Sequence, residues 1–264
     1  MPVYPTPRAI ARRNLRAIIG EVLLLLSPAY KLTAREKAAA KREAEIQAAM
    51  GRYFSSLSGV FGASFENDPP RDFDAVGVLE RNADAKAARA LLVDELERIL
   101  AGGFAGGATA TVAEIGLELA TGFNPLAAEW AKNAAGTLIS EIDDTTLRIV
   151  REAVEYFVTT PGSTLGDIIS RLPFSEERAR MIGITESTAA FAEGNQAAAD
   201  ALAKKYPDVS VVKTWLTNND DRVCDICGPL DGVQVPHDSP FPGGIDNPPA
   251  HPNCRCSTSY RTNL

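Results

Sequence analysis

Four cysteines and one histidine near the C-terminal end constrain the fold of this chain more than any other feature. All of its cysteines lie within 33 residues, and one of its two histidines lies among them. A Cys-x-x-Cys turn points two thiolates at one point, and a second pair from a distance completes the tetrahedron that zinc prefers. We expect one structural zinc ion held by the four cysteines. The histidine is a reserve ligand, which would bind in place of either of the two C-terminal cysteines. The candidate ligands are Cys224, Cys227, His251, Cys254 and Cys256.

The segment between the two cysteine pairs explains why a metal is expected. Residues 236–252 are rich in proline and glycine and have almost nothing to bury, so packing does not offset the entropy of ordering them. A structural zinc site contributes on the order of 10–16 kcal/mol, more than the stability of a typical domain. The sequence therefore predicts a tail ordered by metal, and it leaves zinc or iron open.

Other uses of the cysteines are possible. Two disulfides across the same loop would hold the tail equally well in oxidising surroundings. Redox catalysis is disfavoured because the Cys224–Cys227 motif does not open a helix after a strand, as a thioredoxin-like site does. A zinc deaminase needs His-x-Glu before its cysteine pair, and His237 is followed by Asp-Ser. With two histidines and a turn signature around Asp220 and Asp221, we predict that the chain is not an enzyme.

The rest of the chain carries mainly helical signals. Helix starts are expected at a capping box of Thr33 and Glu36, at Asn124 ahead of Pro125, at Ser163 or Thr164, and at Ser175. After Pro207 the pattern changes to β-branched and aromatic residues, which predict a strand over 209–217. The predicted helices cover 8–30, 33–58, 83–100, 124–158, 163–171 and 176–205.

Glycines and prolines suggest the boundaries. Residues 59–75 contain Gly59, Gly62, Pro69 and Pro70, so we expect a linker or an exposed loop there, with a boundary near residue 70. A cluster at 102–107 (Gly102, Gly103, Gly106 and Gly107) is expected to be a hinge or a loop between closely packed helices.

The predicted fold class is mainly α (α+β), with long helices over 8–205 followed by a small β-containing zinc-stapled module. The predicted domains are a helical N-terminal arm over 1–70, a helical domain over 71–206 and a β-rich Cys/His metal-binding module over 207–264.

Charge is distributed unevenly along the chain. Residues 1–50 carry nine Lys/Arg against four acids, a balance of +5, whereas the remainder carries 18 against 30, a balance of -12. Phosphate binding needs clustered Lys/Arg, so only the N-terminal arm is expected to face DNA, and a free-standing DNA-binding module is disfavoured. The DNA-facing candidates are Arg8, Arg12, Arg13 and Arg16.

Membrane insertion is not expected. The longest apolar run, 22–26, is far short of the roughly 20 residues that span a bilayer, and the start of the chain lacks the small-residue cleavage site of a secretory signal. The protein is therefore predicted to begin its life in a cytoplasm.

The tail contains four short segments in a defined order: Trp215-Leu-Thr217, Asp221-Arg-Val-Cys-Asp-Ile-Cys227, Leu230-Asp-Gly232 and Pro248-Pro-Ala-His-Pro-Asn-Cys-Arg-Cys256. Their order and spacing resemble the C-terminal signature of the Mu protein F-like head morphogenesis proteins of tailed phages. Upstream, residues 178–186 resemble that family's helix with an arginine, an aliphatic pair and a Thr-Glu step, so the likeness covers about 125–260. Gly183 departs from it, where alanine would be the commoner helix former.

The resemblance implies a minor capsid protein, present in few copies inside the head near the portal vertex after assembly in the host cytoplasm. It would act in head assembly, or in DNA packaging or ejection. The implied partners are the portal protein, major capsid or scaffold proteins, and packaged DNA through the N-terminal arm. The alternative is a metal-dependent effector enzyme that enters the host with the DNA. Thr185 and Glu186 are expected to pack or cap within the domain.

Overall fold

Four long helices and a small sheet form most of the structure. The computed structural model describes residues 34–67, 73–116, 123–218 and 220–263. The helices are α1 (Ala34–Asn67), α2 (Ala75–Arg81), α3 (Ala83–Ile115), α4 (Asn124–Thr159), α5 (Leu165–Arg171) and α6 (Glu176–Lys205). They are followed by β1 (Ser210–Leu216), a 3-10 helix (Gly228–Leu230), β2 (Gln234–Pro236) and β3 (Ser257–Asn263). The prediction of a mainly helical chain with a small β-containing C-terminal part is confirmed. In the described ranges, no helix combines the length and the apolar character that crossing a bilayer requires.

Two of the predicted helix starts are confirmed by their caps. The Thr164 hydroxyl accepts a hydrogen bond from the Asp167 amide at 3.3 Å, and the Asp167 carboxylate accepts one from the Thr164 amide at 2.7 Å. The Ser175 hydroxyl accepts a hydrogen bond from the Arg178 amide at 3.1 Å. These side chains satisfy amides that the first turn of a helix leaves unpaired, and so fix where α5 and α6 begin.

The start of α4 differs by one residue from the prediction. Phe123 occupies the N-cap position, and its carbonyl accepts the first helical hydrogen bond from the Ala127 amide at 2.8 Å. Asn124 is therefore the first helical residue rather than the cap. Pro125 fits this position because the amide that it lacks has no partner inside the first turn of a helix. The predicted helix over 8–30 and the Thr33 cap lie outside the described residues.

The prediction of a linker beginning at residue 59 is wrong for 59–67, because α1 continues to Asn67. Gly59 and Gly62 cost the helix roughly 1 kcal/mol each relative to alanine. The same turns bury Phe61 and Phe65, which are 0% and 3% exposed. Burying such side chains stabilises a helix by more than the glycines cost. The short helix α2 was also not predicted.

The glycine cluster of residues 102–107 lies inside α3, so the prediction of a hinge or loop there is wrong. A Cβ at Gly107 would overlap the carbonyl oxygen of Phe191 on α6, and a Cβ at Gly194 would overlap the carbonyl oxygen of Phe104 on α3. The two helix backbones touch at this crossing. The expected close packing of backbones is confirmed, but it occurs between two continuous helices. The helix α3 ends only at Gly116, which has a φ of 73°.

Gly183 has a similar role on another face of α6. A Cβ at this position would lie 2.7 Å from the carbonyl oxygen of Glu43 on α1. The departure from the family pattern therefore has a packing reason, since alanine would push α1 away. Through its two glycine contacts, α6 packs closely against both α1 and α3.

The sheet has the order β2-β1-β3, and both pairings are antiparallel. Alternate residues of the central strand, Val211, Lys213 and Trp215, are buried, with exposures of 4%, 2% and 0%. The residues between them in the same strand, Val212 and Thr214, point to the other face of the sheet and are partly exposed. This alternation gives the sheet one buried face. On that face Val211 packs with Ile115 of α3 and Leu202 of α6, and Trp215 packs with Phe241.

Candidate metal centre

The structure brings all five predicted ligands together. His251 Nε2 lies 3.1 Å from Cys224 Sγ and 3.2 Å from Cys227 Sγ, and Cys227 Sγ lies 3.8 Å from Cys254 Sγ. The donor atoms form two groups of three that share Cys227: one with Cys224 and His251, the other with Cys254 and Cys256. All four cysteines are free thiols in the structure.

Two turns present these ligands. The first, Cys224–Cys227, is closed by a hydrogen bond from the Gly228 amide to the Cys224 carbonyl at 2.8 Å. The second runs from His251 to Cys254 and is closed by the Cys254 amide donating to the His251 carbonyl at 3.2 Å. Its third residue, Asn253, has a φ of 65°. Proline at the second position and a positive φ at the third are the pattern of a type II turn.

The orientation of His251 suits a ligand. Its Nδ1 lies 2.8 Å from the carbonyl oxygen of Pro252. A neutral imidazole that donates from Nδ1 carries its lone pair on Nε2, which is the nitrogen that faces the two sulfurs. A backbone carbonyl that accepts from the outward nitrogen is a common partner of metal-bound histidine.

The thiols have unequal affinities for protons. A hydrogen bond from the Cys256 thiol lowers the pKa of Cys254 to about 5, and the same contact raises the pKa of Cys256. Burial raises the pKa of Cys227 to about 12. Burial also opposes ionisation of Cys224, but hydrogen bonds from the backbone amides of Cys227 and Ile226 outweigh it and lower the pKa of Cys224. Cys254 is therefore the cysteine that most readily forms a thiolate, next to the buried thiols of Cys227 and Cys256.

The donor set fits a soft, tetrahedral metal ion. Zinc–sulfur bonds of roughly 2.3 Å in a tetrahedron place neighbouring sulfurs about 3.8 Å apart, which is the distance between Cys227 and Cys254. Thiolate and imidazole donors select zinc or iron over magnesium or calcium. These residues can hold a metal ion.

Comparison with known proteins identifies the surrounding region. Residues 144–259 match the family model described as Phage Mu protein F like protein. This region is therefore similar to phage Mu protein F. Searches of curated proteins and of solved structures gave no match. The matched residues, called here the Mu F-like region, run from the middle of α4 into β3 and include all five ligand candidates, whereas α1, α2 and α3 lie outside them.

The Mu F-like region also has a small core of its own, which the sequence analysis missed. The expectation that 236–252 has almost nothing to bury is wrong at Phe241, which is 1% exposed and packs edge-on against Trp215 with ring centroids 5.1 Å apart. Leu230 and three of the cysteines complete this cluster. The metal ligands are therefore part of a packed core.

A polar anchor holds the proline-rich loop to α6. The Gln196 side-chain Nε2 donates to the His237 carbonyl at 3.0 Å. Its Oε1 accepts from the side-chain Nδ2 of Asn247 at 3.3 Å and from the Tyr260 hydroxyl at 3.0 Å. The buried Lys213 ammonium donates to the Asp246 carbonyl at 2.8 Å. Burial lowers the pKa of Lys213, and nearby carboxylates oppose that shift. No sequence motif signalled this anchor, because its members come from four separate segments.

Asp220 has the turn role that the sequence predicted. Its carboxylate accepts from the Arg222 amide at 3.1 Å. It also pairs with the guanidinium of Arg255 at 2.8 Å, which ties the segment before Cys224 to the one between Cys254 and Cys256. Asp221 is exposed.

The remaining predicted residues fall in two groups. Thr185 donates to the Met181 carbonyl at 2.8 Å within α6 and also accepts from the Asn253 amide at 2.8 Å, so it contacts the second ligand turn. Burial, helped by the nearby Glu141, raises the pKa of Glu186 to about 7. The DNA-facing candidates Arg8, Arg12, Arg13 and Arg16 lie outside the described residues.

Proposed function

We propose that the protein is a minor head protein of a tailed phage, with a structural role in head assembly or in DNA packaging or ejection. The match of residues 144–259 to the phage Mu protein F like family carries this proposal. The position would be inside the head, near the portal vertex. The proposed partners are the portal protein and the major capsid or scaffold proteins.

The proposed DNA contact is electrostatic. The first 50 residues have a balance of +5 in a chain of net charge -7, and they contain four arginines between residues 8 and 16. Clustered arginines neutralise phosphates, whereas the acidic remainder of the chain would repel them. The N-terminal arm would therefore face packaged DNA while the rest of the chain contacts protein.

We further propose that one zinc ion closes the Mu F-like region structurally. The ligands in this proposal are Cys224, Cys227, His251 and Cys254. His251 Nε2 lies 3.1 and 3.2 Å from the sulfurs of Cys224 and Cys227, and Cys227 Sγ lies 3.8 Å from Cys254 Sγ. Cys256 would keep its proton and donate to Cys254. Four protein ligands leave no open position for a substrate, which is typical of structural zinc rather than catalytic zinc.

Elemental analysis and a thiol count on one sample of the purified full chain test the metal proposal. We expect one zinc per chain and four thiols that are titratable after unfolding. Cys227→Ser should lose the metal, and Cys256→Ser, which changes a neighbouring thiol in the same way, should retain it. A folded, metal-free protein would contradict the proposal, as would two disulfides. Loss of zinc from Cys256→Ser with retention in a His251→Ala variant would instead support a four-cysteine site.

Deletion of the gene from a phage that carries it tests the role in the head. Misassembled or poorly infectious heads are expected, together with the protein's presence in purified wild-type particles. Normal particles after deletion would contradict a role in the head. If changing Asp221 or Glu186 alone abolished infectivity while particles assembled normally, an effector enzyme would be the better explanation.

A further inference from the structure

We propose that Thr185 and Thr188 on α6 are positioning residues for the metal centre. They hold the His251–Cys254 turn so that its ligands face the Cys224–Cys227 turn. This inference rests on the metal site proposed above.

Two hydrogen bonds connect the helix to the turn. The Asn253 amide donates to the Thr185 hydroxyl at 2.8 Å, and the Thr188 hydroxyl donates to the Cys254 carbonyl at 3.0 Å. Residues three apart lie on the same face of a helix, so both hydroxyls point to the same turn. The contacts span 66 and 68 residues of sequence, so they are tertiary contacts.

The hydrogen-bonding capacity of each group agrees with this arrangement. The Thr185 hydroxyl donates its proton to the Met181 carbonyl at 2.8 Å, which leaves its lone pairs to accept from Asn253. The Asn253 amide is at the centre of a turn that is closed by the Cys254 amide, so the turn itself does not use it. Thr188 then fixes the carbonyl at the end of the same turn.

Holding the turn at these two points determines where its ligands lie. The turn begins with His251 and ends with Cys254, whose donor atoms face Cys227 at 3.2 and 3.8 Å. A turn that is fixed at its central amide and its last carbonyl has little freedom to rotate against α6. The ligands are therefore placed before the metal arrives, and the entropy lost on binding is smaller.

Valine in place of threonine removes each hydroxyl and keeps the shape. For the full chain, we expect Thr185→Val and Thr188→Val each to weaken zinc binding about five- to tenfold, as expected for the loss of one hydrogen bond. The double variant should lose up to about 100-fold, within the range seen when groups that support metal ligands are removed. Zinc affinity is measured by competition with a chromophoric chelator.

Thr109→Val is the matched control. Its hydroxyl also donates to the carbonyl four residues earlier, that of Ala105 at 2.8 Å, but it lies on the exposed face of α3. This variant should bind zinc as tightly as the wild type. Thr188→Ser, which restores the hydroxyl, should bind within about twofold of the wild type, and this comparison remains valid if a valine variant folds poorly.

The outcomes separate the two proposals. A wild-type chain that binds no zinc would overturn both the metal site and this inference. If the wild type binds zinc and Cys227→Ser does not, but both valine variants bind like the Thr109→Val control, the metal site stands and the positioning role is wrong. Equal losses in Thr188→Ser and Thr188→Val would also overturn it, because the hydroxyl would then not be the cause.

Discussion

The contact between α3 and α6 predicts opposite effects for the same substitution at two glycines of one helix. At Gly102 a new Cβ meets no described atom within 4 Å, so Gly102→Ala should stabilise the protein by about 1 kcal/mol through helix propensity. At Gly107 the Cβ would overlap the Phe191 carbonyl, which is backbone and cannot move aside by changing rotamer. Overpacking costs about 1–3 kcal/mol or more, so Gly107→Ala should destabilise despite its better propensity.

The difference between the two variants should be at least about 2 kcal/mol, which corresponds to several degrees in the melting midpoint of a chain of this size. Urea and thermal unfolding followed by circular dichroism measure it, with zinc saturated in every sample. Gly194→Ala, the reciprocal position on α6, should lose as much as Gly107→Ala. If Gly107→Ala were as stable as Gly102→Ala, the two backbones would not be in contact and the packing argument would be wrong.

Three further substitutions test other parts of the structure. Burial raises the pKa of Glu186 from 4.5 to about 7, so the free energy of unfolding should fall as pH rises between those values. Glu186→Gln should remove this dependence and add about 2–3 kcal/mol to the free energy of unfolding near pH 8. Urea unfolding at several pH values measures both effects. Gln196→Leu leaves its hydrogen-bonding partners unsatisfied, so amide exchange over 237–247 should become faster while zinc stays bound. Arg52→Ala breaks an exposed ion pair with Glu95 at 2.7 Å and should cost less than about 1 kcal/mol in the same unfolding assay.

The sequence predicted a helix end or a cluster of candidate ligands correctly where residues within one short segment determine it. The bounds of α6 were predicted because the Ser175 cap, the acids that follow it and Pro207 lie next to the helix ends. The start of α5 at Thr164 was predicted for the same reason. The Cys-x-x-Cys spacing and the nearby His251 indicated the metal site because metal ligands are restricted to a few residue types at characteristic spacings.

The sequence failed to predict helix continuity where contacts with distant residues determine it. A glycine at position 107 gives the same local signal whether it breaks a helix or admits a neighbouring backbone, and only the position of Phe191 distinguishes the two. The same holds for Gly183 and for the long extension of α1 beyond residue 59. The division into three domains at residues 70 and 206 stays a prediction.

The site was incompletely predicted for a related reason. Thr185 and Thr188 have no signature as supports for a metal-binding turn, since their partners are more than 60 residues away. Gln196 and Lys213 are likewise informative only after folding brings them to the same loop. The expectation that zinc alone orders the tail therefore needs modification, because Phe241 and the Gln196 anchor contribute as well.

The packing of α6 has a practical consequence for protein production. A fragment cut at the bounds of the Mu F-like region would keep α6 but lose α1 and α3, which cover two of its faces. Ala190, now 0% exposed and next to Gly103 of α3, would then face water, together with the bare backbone around Gly183 and Gly194. Such a fragment should be insoluble or should aggregate, and the shortest useful expression product should begin no later than residue 34.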